Sequence, residues 1–163
     1  MGSVIATVGP ALLGFVLMEP VTWAVHRYVM HGPGWVLHRS HHVRRAGRIE
    51  ANDTFPVAFA TLVGAALAVG FNVDGWGWLV PLAVGVTAYG AAYALVHDGY
   101  IHRRIPVGSH RAAALEALAR AHAVHHRTGG EPFGMLAPFV PHAQRRSGPS
   151  GPPGRRIDAP SPG

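Results

Sequence analysis

Two long stretches of this chain contain no arginine, and they hold three apolar runs, each long enough to cross a bilayer. Residues 4–25 form the first run, interrupted by Glu19 and Pro20; residues 55–73 form the second, and residues 76–96, without any charge, form the third. A hydrocarbon core of ~30 Å needs about 20 residues of helix. Inside lipid only a helix or a closed barrel satisfies every backbone polar group, so apolar runs of this length restrict the chain to an all-α membrane bundle. The 14 basic residues are all arginines, with none before Arg27 and none between Arg48 and Arg103. An arginine at the membrane centre costs about 2.5–3.5 kcal/mol or more, which accounts for both gaps. Charged residues make up 13% of the chain, about half of the roughly 25% usual in a soluble domain. No basic segment precedes the first run, so it is expected to be a retained span and not a cleaved leader.

The second and third runs are separated only by the short turn Asn72-Val73-Asp74-Gly75, so they form a hairpin that returns the chain to the face it left. Segments 26–54 and 97–146 then lie on one side. They carry all twelve histidines and most of the arginines, and arginine excess marks the cytoplasmic face. The expected topology is N-terminus out, three spans, and the histidine-rich segments and C-terminus in. The pattern leaves room for a fourth, re-entrant helix. Small residues recur at four-residue spacing in both hairpin arms, Ala60, Gly64, Ala68 and Ala83, Thr87, Ala91; such ladders let helices approach closely. Residues 1–146 are expected to form a single membrane-embedded domain. Residues 147–163, mostly Gly, Pro and Ser, read as a disordered tail.

Ten of the twelve histidines fall into four clusters, in the same order twice. The first half has His26 and His31, then His38, His41 and His42; the second has His97 and His102, then His122, His125 and His126. Each half therefore reads H-x4-H followed by H-x2-H-H. With no cysteine, disulfides, thiolate sites and iron–sulfur clusters are excluded. Neutral imidazole is the commonest side-chain metal ligand, and five histidines in each half suggest a site for two metals. A structural zinc usually takes four ligands. Imidazole also suits copper, iron and nickel, and iron is the first choice, although the sequence does not separate it from zinc. In H-x2-H-H the rings share one helical face: two can hold one metal while the third reaches a neighbour. In H-x4-H the rings are about 140° apart on an ideal helix. That spacing suits a helix end where the backbone loosens, or a helix whose two faces serve different partners.

Residues 111–127 read as an interfacial helix whose face carries Leu115, Leu118, His122, His125 and His126. His110 and His142 fall outside the clusters and are read as surface or outer-sphere residues. Glu19, two turns before His26, either orients a ligand histidine or bonds a neighbouring helix. Asp98 and Asp53 either support a ligand histidine in the same way or cap a helix near a span end, capping being favoured for Asp53. The four tryptophans, Trp23, Trp35, Trp76 and Trp78, are read first as interfacial anchors and second as walls of an apolar pocket.

The pattern resembles the fatty acid hydroxylase superfamily of membrane di-iron enzymes, and within it the bacterial β-carotene 3-hydroxylases. The resemblance is carried by His26-Arg-Tyr-Val-Met-His31-Gly, Gly34-Trp35, His38-Arg-Ser-His41-His42 and Glu50-Ala-Asn52-Asp53. In the second half it is carried by Ala88-Tyr89-Gly90, Val96-His97-Asp98-Gly99, His102, Ala121-His122, His125-His126 and Phe133-Gly134. It covers roughly residues 12–140. The stretch between His102 and His122 is shorter than the family pattern, and the tail departs from it.

The resemblance implies a monooxygenase that uses O2 and two electrons to hydroxylate an unactivated C–H bond. It implies two non-haem irons on the ten clustered histidines and a carotenoid substrate, converted from β-carotene to zeaxanthin. Electrons would come from a ferredoxin that an NAD(P)H-dependent reductase reduces. The expected setting is the bacterial inner membrane; no nucleic acid is an expected partner. Two alternatives stay open on the sequence: a relative acting on a ketolated carotenoid, sterol or fatty acyl lipid, and a membrane haem- or metal-binding protein.

Overall fold

A computed structural model describes residues 2–43, 49–108 and 112–138. The described residues form five α-helices: α1 (Gly2–Ala24), α2 (Trp35–His42), α3 (Thr54–Asn72), α4 (Leu79–Ala94) and α5 (Ala113–Thr128). No strand occurs among them. Helices α1 and α4 do not stop at their last α-helical residues. Each runs on through a wider π-helical turn, Val25–Met30 after α1 and Leu95–Ile101 after α4. A 3₁₀ turn, Ala51–Asp53, leads into α3.

Three helices are long and apolar enough to cross a membrane among the described residues: Val4–Met30, Ala51–Asn72 and Leu79–Ile101. These match the three expected spans, with the first and third prolonged at their C-terminal ends by the π turns. The fold is the expected all-α membrane bundle. Helix α5 follows the expected 111–127 segment closely and ends at Gly129. That glycine takes the left-handed conformation (φ +66°) and donates its N–H to the His125 carbonyl at 2.8 Å, a C-terminal cap that glycine adopts without steric cost. Gly75, in the α3–α4 turn, also takes a positive φ, +82°, which glycine adopts without steric cost. The expected tail, 147–163, lies outside the described residues, as do His110 and His142.

The packing seam differs from the expected one. Ala60, Gly64 and Ala68 on α3 are exposed, as are Thr87 and Ala91 on α4. A Cβ added at Gly64 would meet nothing within 4 Å. The arms of the hairpin touch near their turn, where a Cβ at Gly70 would lie 2.8 Å from the Val80 side chain. The closest approach is instead between α1 and α4. Gly85 lies directly against the Ala11 carbonyl and Gly14 against the Leu82 carbonyl, with no room for a methyl at either position. The Tyr89 side chain closes the same seam, its ring edge-on to Phe15 at 5.7 Å. Helices α1 and α4 are also the two that carry the H-x4-H pairs, so this glycine-mediated contact sets how far apart those pairs stand.

Candidate metal centre

The π turns solve the H-x4-H problem. Their hydrogen bonds close between residues five apart: His31 N–H donates to the His26 carbonyl at 3.0 Å, and His102 N–H to the His97 carbonyl at 2.9 Å. Rings that an α-helix would splay apart now share a face, with centroids 5.1 Å apart for His26–His31 and 4.6 Å for His97–His102. The loosened backbone expected at these helix ends is therefore a specific element, inserted once in each half.

All ten clustered histidines converge, but not by halves. One group comprises His26, His31, His38, His42 and His125, the other His41, His97, His102 and His122, and within each group the candidate ligand atoms lie within 4.8 Å of one another. His126 stands at the border, its Nε2 at 3.2 Å from that of His41 and its ring stacked on His42 at 4.5 Å. The helical offset explains the exchange. In α2, His38 and His42 are one turn apart and serve the first group, while His41 is rotated away and crosses to the second. In α5, His122 serves the second group and His125 crosses to the first.

Five rings are fixed from outside by their Nδ1 atoms. His26 Nδ1 bonds the Phe133 carbonyl at 2.9 Å and His125 Nδ1 the Gly130 carbonyl at 2.7 Å. His38 Nδ1 meets Asn52 Oδ1 at 2.7 Å, His41 Nδ1 meets Glu50 at 3.1 Å, and His97 Nδ1 meets Asp98 at 3.1 Å. These partners are acceptors, so each Nδ1 carries the proton, and a neutral ring then presents a bare lone pair at Nε2. The Nε2 atoms of His26 and His38 face each other at 3.1 Å, and those of His97 and His41 at 3.0 Å. Two lone pairs at that distance have no proton to share. A cation between them relieves the repulsion, so this donor set fits a metal. Burial, ahead of the crowding by neighbouring imidazoles, holds His31 down at about 4, His42 at about 3, and His41 and His122 well below the usual imidazole range. Burial likewise lowers His38 and His102 to about 4. At neutral pH these rings are in the uncharged form that metals bind.

Each group has its own support. Around the second, Asp98 also meets Arg104 Nη1 at 3.1 Å, and Arg104 Nη2 reaches Asp53 at 2.7 Å. Asp53 in turn accepts from the Glu50 N–H at 2.9 Å, closing a capping box at the start of the 3₁₀ turn. Asp98 thus orients a histidine, and Asp53 both caps and anchors Arg104. Around the first group, Trp35 packs on His31 and His42 with centroids 5.2 and 5.3 Å away. Trp23 donates to Glu131 at 3.2 Å, whereas Trp76 and Trp78 are exposed at the α3–α4 turn. Glu19 bonds no histidine among the described residues. It bonds Tyr89 on α4 and three backbone N–H groups of residues 135–137. Sequence reasoning marked Glu50 and Asn52 only as part of the family pattern and gave no role to Arg104, although the polar Glu50, Asn52 and Asp53 directly before an apolar span are a visible signal. The Phe133 and Gly130 carbonyls leave no such signal, because any residue supplies one.

Fold and site together define a class: a helical membrane protein whose histidines gather in two adjoining groups at one end of its spans. The chain belongs to the fatty acid hydroxylase family, whose model matches residues 11–143. It is 42% identical over 130 residues to a β-carotene hydroxylase of Pseudescherichia vulneris, covering 77% of this chain and 73% of the relative. It is 36% identical over 126 residues to the β-carotene hydroxylase of Paracoccus sp. (strain PC1), covering 76% of each. The chloroplastic β-carotene hydroxylase 1 of Capsicum annuum is 39% identical over 122 residues, which span 70% of this chain and 38% of the plant protein. No solved structure shows significant similarity to the chain.

Proposed function

We propose that this protein is a β-carotene 3-hydroxylase, converting each β-ionone ring of β-carotene at C3, through β-cryptoxanthin to zeaxanthin. Each turnover combines one C–H bond, O2, two electrons and two protons, and yields one alcohol and one water. The observation that carries the reading is the convergence of ten buried or half-buried imidazoles, nine of them in two adjoining groups with His126 at their border, at the ends of membrane helices. The relatives' shared activity supplies the substrate class.

In this reading His26, His31, His38, His42 and His125 hold one iron. His41, His97, His102 and His122 hold the second, with His126 beside them as the tenth ligand. The bound irons supply the activation of O2 and the oxidising power. The protein supplies the rest. The outward Nδ1 bonds fix the tautomers of His26, His38, His41, His97 and His125 and aim their Nε2 atoms inward. Five ligand atoms converging on one point leave no equatorial space for a porphyrin, which weighs against the haem alternative. An apolar groove of about 200 Å³ lies on α4 between α1 and α3, lined by Met18, Phe59, Leu62, Val63, Leu82 and Val86 among others. It gives a lipid-soluble substrate an apolar surface below the site.

The histidine-rich end faces the cytoplasm of a bacterial cell in this reading, with the spans in the inner membrane and residues 1–146 acting as one unit. Arg39, Arg103, Arg120 and Arg127 are exposed around it and would attract an acidic donor such as ferredoxin. The native chain has no cysteine, so single introduced cysteines report topology directly. Asn72→Cys is expected to react with an impermeant maleimide on intact cells, and Ser147→Cys only after permeabilisation; the opposite pattern inverts the topology.

The function is tested by expressing the chain in cells that accumulate β-carotene and separating the pigments by chromatography and mass. Products heavier by one and two oxygens, eluting as cryptoxanthin and zeaxanthin, are expected. Unchanged β-carotene beside iron-loaded protein and a competent donor overturns the substrate assignment.

A further inference from the structure

Glu19 is the one acidic residue in the apolar part of α1, and a carboxylate inside a span is costly to keep. Here all its acceptor capacity is used. Oε1 receives the N–H groups of Met135 and Ala137, both at 2.9 Å, and Oε2 receives the Leu136 N–H at 3.1 Å and the Tyr89 hydroxyl at 2.5 Å. Three consecutive backbone donors from a distant loop close on one side chain. A Cβ at Gly134 would stand 2.7 Å from Oε1, so a methyl there displaces the carboxylate from this grip.

The loop so held bears directly on one histidine group. Phe133 lies two residues before Met135. Its carbonyl receives the His26 Nδ1 proton, and its ring packs on His26, His31 and His125 at 5.4, 5.1 and 5.2 Å. The other end of the loop is held independently. Glu131 pairs with Arg27 at 2.9 Å and accepts the Trp23 N–H, and its neighbour Gly130 accepts from His125. The second group draws its outward partners from elsewhere, Glu50 and Asp98.

We propose that Glu19 is a positioning residue for the first histidine group alone: from within the membrane it clasps loop 132–137 and so fixes the orientation of His26 and the packing over His31 and His125. Tyr89 and Gly134 belong to the same clasp. The proposal rests on the reading that the two groups bind two irons. It assigns the membrane carboxylate a task that neither ligation nor helix packing requires. Loss of an outer partner of a metal ligand typically weakens binding by roughly 10–100-fold, and that loss should fall on one iron.

The test loads full-length protein in detergent with ⁵⁷Fe and records Mössbauer spectra and iron content for wild type, Glu19→Gln, Tyr89→Phe and Gly134→Ala. Wild type is expected to hold two irons per chain. In Glu19→Gln the amide nitrogen cannot accept, and one iron's signal is expected to shift or disappear while the other keeps its parameters. Gly134→Ala, which removes no charge, should reproduce the change, and Tyr89→Phe should give a smaller one. If Glu19→Gln fails to accumulate, the two milder variants carry the result. Equal loss of both irons in every variant, or two unchanged signals, overturns the clasp. Wild type that binds no iron pair overturns the di-iron reading itself, and the wild-type sample shows this before any variant is compared.

Discussion

His125→Ala is expected to cost the protein the iron of the first group, although His125 comes from the second half of the chain. The mirror variant, His41→Ala, should cost the second group its iron, although His41 comes from the first half. The reason is geometric. In H-x2-H-H the outer two histidines are one helical turn apart and look the same way, and the middle one is rotated off that line. In α2 it reaches over to His97, with Nε2 atoms 3.0 Å apart; in α5 it reaches over to His31, at 3.1 Å. Each variant should retain about one iron per chain and lose turnover by more than the roughly 10–100-fold that follows loss of an outer partner, because a ligand itself is gone. Iron analysis by mass spectrometry, paired with the pigment assay, reads both. The informative comparison is spectroscopic. His125→Ala and His26→Ala should leave the same residual iron signal, and His41→Ala and His97→Ala the other. If His125→Ala instead shares its residual signal with His97→Ala, the groups follow the halves of the sequence and the crossed arrangement is wrong. Full activity in both crossed variants would remove the di-metal assignment altogether.

Much of this was legible before any coordinates. The three spans follow from where arginine is absent, since desolvating a guanidinium is too costly to tolerate by accident. The helical placement of the histidine-rich segments follows from spacing. What spacing could not give was partition. Five histidines in each half suggest two metals, and H-x2-H-H lets one ring reach a neighbouring site, but the spacing does not say which ring crosses; in the fold His41 and His125 do. Only the relative placement of α2 and α5 decides that, and it depends on contacts between segments distant in sequence. The H-x4-H pairs were misfits on an α-helix, and the misfit correctly marked a non-α backbone. Its form, one π turn in each half, requires the hydrogen bonds of the fold. Glu19 was visible as an oddity, but its partners are backbone N–H groups of residues 135–137, which no side-chain pattern announces. The small-residue ladders misled for the opposite reason. Four-residue spacing is common in any alanine-rich span, and the residues that in fact permit close approach, Gly14 and Gly85, lie on helices not adjacent in sequence.

That seam gives the second large effect. Gly85→Leu should uncouple the bundle from its site. A side chain at this position enters the Ala11 carbonyl, and backbone cannot rotate away as a flexible side chain would. Helices α1 and α4 must separate by about 1 Å or more before ordinary van der Waals contact is restored. Overpacking of this kind costs roughly 1–3 kcal/mol and sometimes more, and a clash with main chain belongs at the upper end. The functional loss should exceed the loss of stability. Helix α1 continues into His26 and His31, and α4 continues into His97 and His102, so the displacement travels along two rigid elements into both metal groups. A 1 Å misplacement in a catalytic constellation is worth roughly 100-fold in rate. Gly64→Leu is the matched control, since a Cβ there meets nothing; it should accumulate, bind two irons and hydroxylate as the wild type does. Expression level, iron content and pigment turnover measured on the pair separate the two cases. Should Gly85→Leu retain both irons and more than half of the wild-type turnover, the α1–α4 contact would not set the spacing of the histidine pairs. That role would then fall to α2 and α5, which hold the remaining six ligands from outside the seam.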